Sequence, residues 1–139
     1  MKKAICILLC LSLLPLLCSC DNAISRDEAE YRIEKLMTAL EGENYQEVLS
    51  LMHPDYKCDE EQIVELVDQV EKAEGVEFSD GITVARYTNF RSALYDSNVG
   101  GGYYSLSGYI TVSKKQVYFK VELARTGEDF GICNFSFGN

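Results

Sequence analysis

The sequence predicts an α+β domain in which three N-terminal helices pack on a curved antiparallel sheet of about four strands. Three observations carry this. Apolar residues recur at helical spacing between residues 25 and 75. From residue 80 onward the pattern alternates, and the composition turns to β-branched and aromatic residues. No internal repeat, low-complexity tract or long linker interrupts the run.

The first helix opens at Ser25, with Glu28 at capping-box spacing. Ile33, Leu36, Met37 and Leu40 then mark one face, and Gly42 is a terminator. Asn44 caps a second helix carrying Tyr45, Val48, Leu49 and Met52, with Pro54 just past its end. Asp59 caps a third, with Ile63, Leu66, Val67 and Val70 as its stripe and Gly75 as its stop. Each helix has a single apolar face and must cover something to be stable.

Asp80-Gly81 signals a turn into a first strand over Ile82 to Tyr95, whose alternation is untidy. Strands are expected over Tyr103–Ser113, Gln116–Arg125 and Phe130–Phe137. Pairing the middle two around Lys114-Lys115 sets Val112 against Val117, Ile110 against Phe119, Gly108 against Val121 and Leu106 against Leu123. That register collects apolar residues on one face and puts Tyr109 and Tyr118 on the other. A one-residue slip would scramble the sorting. Gly108 in mid-strand suggests a bend or bulge.

The N-terminus has a different texture. Lys2 and Lys3 precede about 15 apolar residues, Ala4 to Cys18, interrupted by Pro15. A spanning helix needs roughly 20, so the stretch reads as a cleaved secretory signal. Leu17-Cys18-Ser19-Cys20 resembles the lipobox of bacterial lipoproteins. That resemblance implies a signal peptide at 1–19, a palmitate-type lipid on Cys20, a short tether at 20–24 and one domain over 25–139. It implies a cell-membrane protein, lipid-anchored on the extracytoplasmic side. Asp21 resembles the inner-membrane retention signal of hosts with two membranes.

Charge narrows the partners. Of 13 basic side chains, Lys2 and Lys3 leave with the signal; the remaining 11 against 22 acidic ones give −11. Nucleic acid is excluded as a partner, since its binding rests on basic side chains neutralising phosphates. Of six cysteines, Cys58 and Cys133 alone survive signal removal and acylation. Outside the cytoplasm they either pair, in a bridge worth roughly 4 kcal/mol, or stand as two separate thiols.

Three helices before a curved sheet resemble the nuclear-transport-factor-like cone fold of ketosteroid isomerases. The resemblance lies in "LMTALEGENYQEVLSLMHPDY", the third helix and "SGYITVSKKQVYFKVELARTGEDFGICNFSFG". The chain has no tryptophan, and Phe130 stands where such domains often carry one. The alternative is a cystatin-like fold, one helix wrapped by four strands. The inhibitory Gln-x-Val-x-Gly wedge of cystatins has no counterpart, since "QVYFK" at Gln116 lacks its glycine and spacing.

The chemistry-bearing residues are few. His53 is the one histidine and lacks a visible partner for acid–base work. Asp55, Asp59, Glu60 and Glu61 cluster, but Lys57 sits at a ligand position and Glu60 where a calcium loop needs glycine, so the cluster reads as a helix start. "NVGGGYYS" runs into a strand without the lysine of a phosphate loop, and reads as a loose hairpin or bulge. In isomerase relatives a pocket aspartate acts as base; the inward strand face here carries Leu, Gly, Ile and Val and no acid. No catalytic residue, metal site or cofactor is assigned. The expected function is a membrane-anchored, non-enzymatic binding or accessory domain for an envelope protein partner or a small apolar ligand. The alternative is a cone-fold enzyme acting on a small apolar substrate, with His53 or a pocket acid as base.

Overall fold

The computed structural model describes residues 22–138, so the expected signal peptide, Cys20 and Asp21 lie outside the described residues. Helix α1 (Arg26–Glu41) begins with a reciprocal cap: the Ser25 hydroxyl accepts from the Glu28 N–H at 3.2 Å, and the Glu28 carboxylate accepts from the Ser25 N–H at 2.9 Å. Gly42 ends it. Helix α2 (Tyr45–Leu51) is capped by Asn44, whose side chain accepts from the Glu47 N–H. Helix α3 (Glu60–Glu74) has a second capping box, between Asp59 and Gln62, and ends on Gly75 at φ 65°. The acidic cluster is thus a helix start: Asp59 caps, and Glu60 and Glu61 occupy the first turn. The predicted stripes are the buried ones, save that Tyr45, Leu49 and Leu66 are half-buried and Leu51 joins the core.

Strands β1 (Ile82–Asp96), β2 (Gly101–Val112), β3 (Lys115–Thr126) and β4 (Asp129–Phe137) form one antiparallel sheet in sequence order. The helix-facing side is apolar: Leu106, Ile110, Val112, Val117, Phe119, Val121, Leu123 and Ile132 are buried against the helices. Three helices on this sheet are not the single wrapped helix of a cystatin.

The β2–β3 register differs from the predicted one by two residues. Ile110 pairs with Val117, Gly108 with Phe119, Leu106 with Val121 and Tyr104 with Leu123. The cause is the turn. Ser113 and Lys114 alone form it, at φ 48° and 64°. That is the left-handed pair a two-residue hairpin needs to match strand twist. A two-residue shift leaves every side chain on its predicted face, and brings Tyr109 directly opposite Tyr118, ring centroids 5.7 Å apart.

The untidy alternation of β1 also has a physical source. Its pairing with β2 is interrupted between Val84 and Arg86, Tyr87 and Asn89, and Ala93 and Asp96. Each irregularity changes which side chains face the core and bends the strand. The bulging lies in β1, and Gly108 in β2 is where the β1 backbone at Arg86 comes close.

The α2–α3 connection is stitched to the outer edge of β4. Met52 bridges in parallel to Ile132, and the His53 N–H donates to the Ile132 carbonyl at 2.8 Å. The approach requires Gly131: a Cβ there would sit 2.6 Å from the Met52 carbonyl carbon and collide with the His53 nitrogen. His53 is fully buried and caps the 3-10 turn Pro54–Tyr56. Its Nδ1 accepts from the Asp55 N–H at 3.2 Å, so Nε2 carries the proton and donates to Thr126 Oγ1 at 2.7 Å.

The glycine run has a comparable role. Gly100, at φ 73°, turns the chain into β2, and the Asn22 backbone lies directly on Gly102, where any Cβ would strike its carbonyl. Arg125, paired across from Gly102, donates to the Ala23 carbonyl at 2.7 Å and to Glu28 at 2.8 Å. Ile24 is buried in the core. Residues 22–24, counted above with the tether, therefore lie on the domain.

Gly131→Ala tests the stitch. Because backbone atoms rather than a flexible side chain stand in the way, the variant is expected to lose about 3 kcal/mol of stability, the upper range for a single overpacking change. Urea denaturation of parent and variant measures it; a loss under about 1 kcal/mol would mean the edge gives way easily.

Candidate functional site: a two-sided cleft at the bulge of β4

Strand β4 carries one residue more than β3 at a single point. Glu122 pairs with Asn134 and Leu123 with Ile132, leaving Cys133 unpaired in a bulge. Ile132 and Phe135 consequently share the apolar side although three positions apart, matched to Leu123 and Val121. Two depressions meet around this bulge and share Tyr56, Cys133 and Asn134.

The first is a groove of about 220 Å³ between α3 and β4. Met52, Ile63, Leu66 and Phe135 make it apolar, with Gln62 and Cys58 at its margin. The second is a polar depression of about 280 Å³ lined by Arg91, Asp96, Asn98, Tyr103 and Glu122. Strand pairing builds its floor: Arg91, Ser105, Glu122 and Asn134 form one row across all four strands, on the face away from the helices.

The polar groups there are largely paired with one another. Glu122 accepts from the Tyr103 hydroxyl, from Asn134 Nδ2 at 2.8 Å and from Lys120 Nζ at 3.1 Å. Burial pushes the Glu122 carboxyl up, but those donors together outweigh it and hold it below the usual range. Asp96, 9% exposed, accepts from Arg91 Nη2 at 3.1 Å and from the Asn98 N–H at 2.9 Å. The Arg91 guanidinium lies 5.2 Å over the Tyr103 ring yet is itself two-thirds exposed. Burial, then the bond to Glu122, raises the Tyr103 phenol to about 12. Burial also raises the Cys133 thiol to about 11, leaving a thiol rather than a nucleophilic thiolate at neutral pH.

The residues singled out from sequence distribute unevenly over this cleft. Cys58 and Cys133, 75 positions apart, line the same groove, and both are free thiols. His53 is fully buried and lines neither depression; its ring is held by Thr126 and the Asp55 backbone. Tyr109 and Tyr118 face each other elsewhere on the outer side, with Arg86 stacked on Tyr109 at 4.8 Å. Cys20 lies outside the described residues. Tyr56, Arg91, Asp96, Tyr103, Glu122 and Asn134 were not anticipated. Among the described residues, no group of three or more His, Cys, Asp or Glu side chains is arranged to hold a metal ion. Nor is any described helix long and apolar enough to cross a membrane.

No protein-family profile matches the chain, and no curated protein matches it. Among solved structures, the chain is similar to a de novo designed protein with a curved β-sheet. The identity is 15% and the TM-score 0.49, covering 81% of this chain and 100% of that one.

Two measurements probe the cleft. With its carboxyl pKa depressed by folding, Glu122 adds stability above the ordinary carboxylate value, about 4.5, and that stability is lost as pH falls through the depressed folded value. Glu122→Gln should flatten part of the acid decline in urea midpoints between pH 6 and 3; Glu28, lowered chiefly by its bond to Arg125, accounts for a further part. An unchanged pH slope would remove Glu122 from the network. At pH 8, a Cys133 thiol at about 11 should alkylate at least tenfold more slowly than a free thiol of about 8.5. Peptide mapping after timed iodoacetamide treatment reads the rate.

Proposed function

We propose that this chain is an envelope lipoprotein, anchored through lipid on Cys20, whose cone-like domain is a non-enzymatic binding module. Its ligand is a small apolar molecule with a polar end, or the matching side chain of an envelope protein. The observation that carries the binding reading is the junction at Cys133 and Asn134. There an apolar groove built on Met52, Ile63, Leu66 and Phe135 runs into a polar depression that offers the exposed guanidinium of Arg91. A mostly apolar cleft with a few placed polar groups is what ligand sites of this size look like. The groove alone would hold only a modest ligand.

The lining favours holding over reacting. Glu122 has three donors, Asp96 two, and Cys133 is kept protonated, so the groups a catalytic reading would recruit are already engaged. The anchoring half of the proposal rests on the lipobox-like run to Cys20, and the cone-like half on three helices laid on a bulged antiparallel sheet.

An amphipathic dye, anilinonaphthalene sulfonate, tests the site with the folded protein: apolar rings for the groove, a sulfonate for Arg91. Saturable binding near one dye per chain is expected. Leu66→Arg should weaken it at least tenfold while leaving the thermal midpoint within a few degrees, since Leu66 is only half-buried. Absent or non-saturable binding would refute the site. Palmitate labelling lost in Cys20→Ala tests the anchor separately.

A further inference from the structure

We propose that the β1–β2 hairpin tip, through Leu94 and Tyr95, is a second membrane contact that rests in the bilayer interface and fixes the orientation of the anchored domain. This builds on the lipoprotein reading above.

The position of the chain's first described residue carries the argument. Asn22 lies against Gly102 at the start of β2, and Arg125 clamps the next carbonyl, that of Ala23. Asn22 is two positions from Cys20, a reach of at most about 7 Å. A lipid on Cys20 therefore brings Gly102 to the bilayer surface. The pairs Ala93–Tyr103 and Asp96–Gly101 bracket Gly102, and Leu94 and Tyr95 lie between them on the facing strand. At strand spacings of about 4.8 Å and 3.4 Å per residue, both sit within about 10 Å of Gly102. The anchor thus emerges beside this hairpin and away from the β2–β3 turn at the other end of the sheet.

The tip has the chemistry of an interfacial segment. Leu94 is 64% exposed and Tyr95 67%, and Phe90, on the same strand, is 62% exposed. Between Ala93 and Tyr103 the one charged residue is Asp96, which is buried and paired with Arg91. A hairpin tip whose one charge is paired is conspicuous on a mature chain expected to carry −11. Aromatic and aliphatic side chains suit the headgroup–acyl boundary, and the exposed carboxylates at this end of the sheet, Glu128 and Asp129, belong to the β3–β4 turn and not to the tip itself. Since no lysine or arginine lies between Ala93 and Tyr103, contact should not require anionic lipid.

The absence of tryptophan from the chain makes the test direct. The full chain is expressed with its signal in a bacterial host, purified and reconstituted into phosphatidylcholine vesicles with brominated acyl chains. Tyr95→Trp reports the tip. Tyr118→Trp reports the far end of the sheet, near the β2–β3 turn. Expected is blue-shifted emission at position 95, quenched at least twofold by bromine, with position 118 unquenched. Four results overturn the proposal. Emission like an exposed indole at position 95, in protein whose mass shows the lipid, means that the hairpin is simply solvated. Blue-shifted yet unquenched emission there means that protein covers it. Equal quenching at both positions means no fixed orientation. A chain without lipid on Cys20 by intact mass overturns the lipoprotein reading itself, and this contact with it.

Discussion

The geometry of the cleft depends on one backbone contact, the hydrogen bond from His53 to Ile132 across a position that only glycine can occupy. It converts the connection after α2 into a short extension of the sheet edge. The apolar side of the sheet then holds α3 at a set distance, and the groove is the gap left between them. The buried imidazole reinforces the same contact from below, with one nitrogen on the Asp55 backbone and the other on Thr126 at the end of β3. Leaving either nitrogen unpaired in so dry a place would cost about 1–3 kcal/mol. The lone histidine is therefore a fastening between the α2–α3 connection and the end of β3.

Bulges do the rest of the shaping. In β1 they bend a long edge strand and alternate its faces irregularly. In β4 a single extra residue lets Ile132 and Phe135 share the core side while Cys133 and Asn134 mark the boundary between apolar and polar depressions. Without the bulge, continuing alternation would turn Phe135 or Ile132 to the polar face. The amphipathic character of the cleft follows from that local miscount.

Most of the fold was legible because its signals are local. Ser25, Asn44 and Asp59 cap helices with their own side chains, and the apolar spacing that follows each identifies the buried stripe. Strand faces were legible because alternation survives any even shift. The β2–β3 register was not, because Ser113 and Lys114 adopt left-handed backbone without the Asn-Gly signature of such turns. The site was the least legible part. Arg91, Ser105, Glu122 and Asn134 are brought together by strand pairing alone, and no spacing along the chain announces them. Cys58 and Cys133 could be noted as the cysteines outside the expected signal and lipid site, but the groove they share needs α3 and β4 in place. The triple glycine drew attention as a loop; its use as a seat for residue 22 depends on a partner eighty positions earlier.

The Arg125 clamp also imposes an order in time. The carbonyl it holds, at Ala23, precedes it by 102 residues, so a chain emerging N-terminus first presents Ala23 long before its partner exists. Residues 22–24 lack this clamp until β3 has formed beside β2. Any enzyme that cuts or modifies this stretch meets an open peptide early and a fastened one late. Closure of the sheet then seals residues 22–24 into the fold.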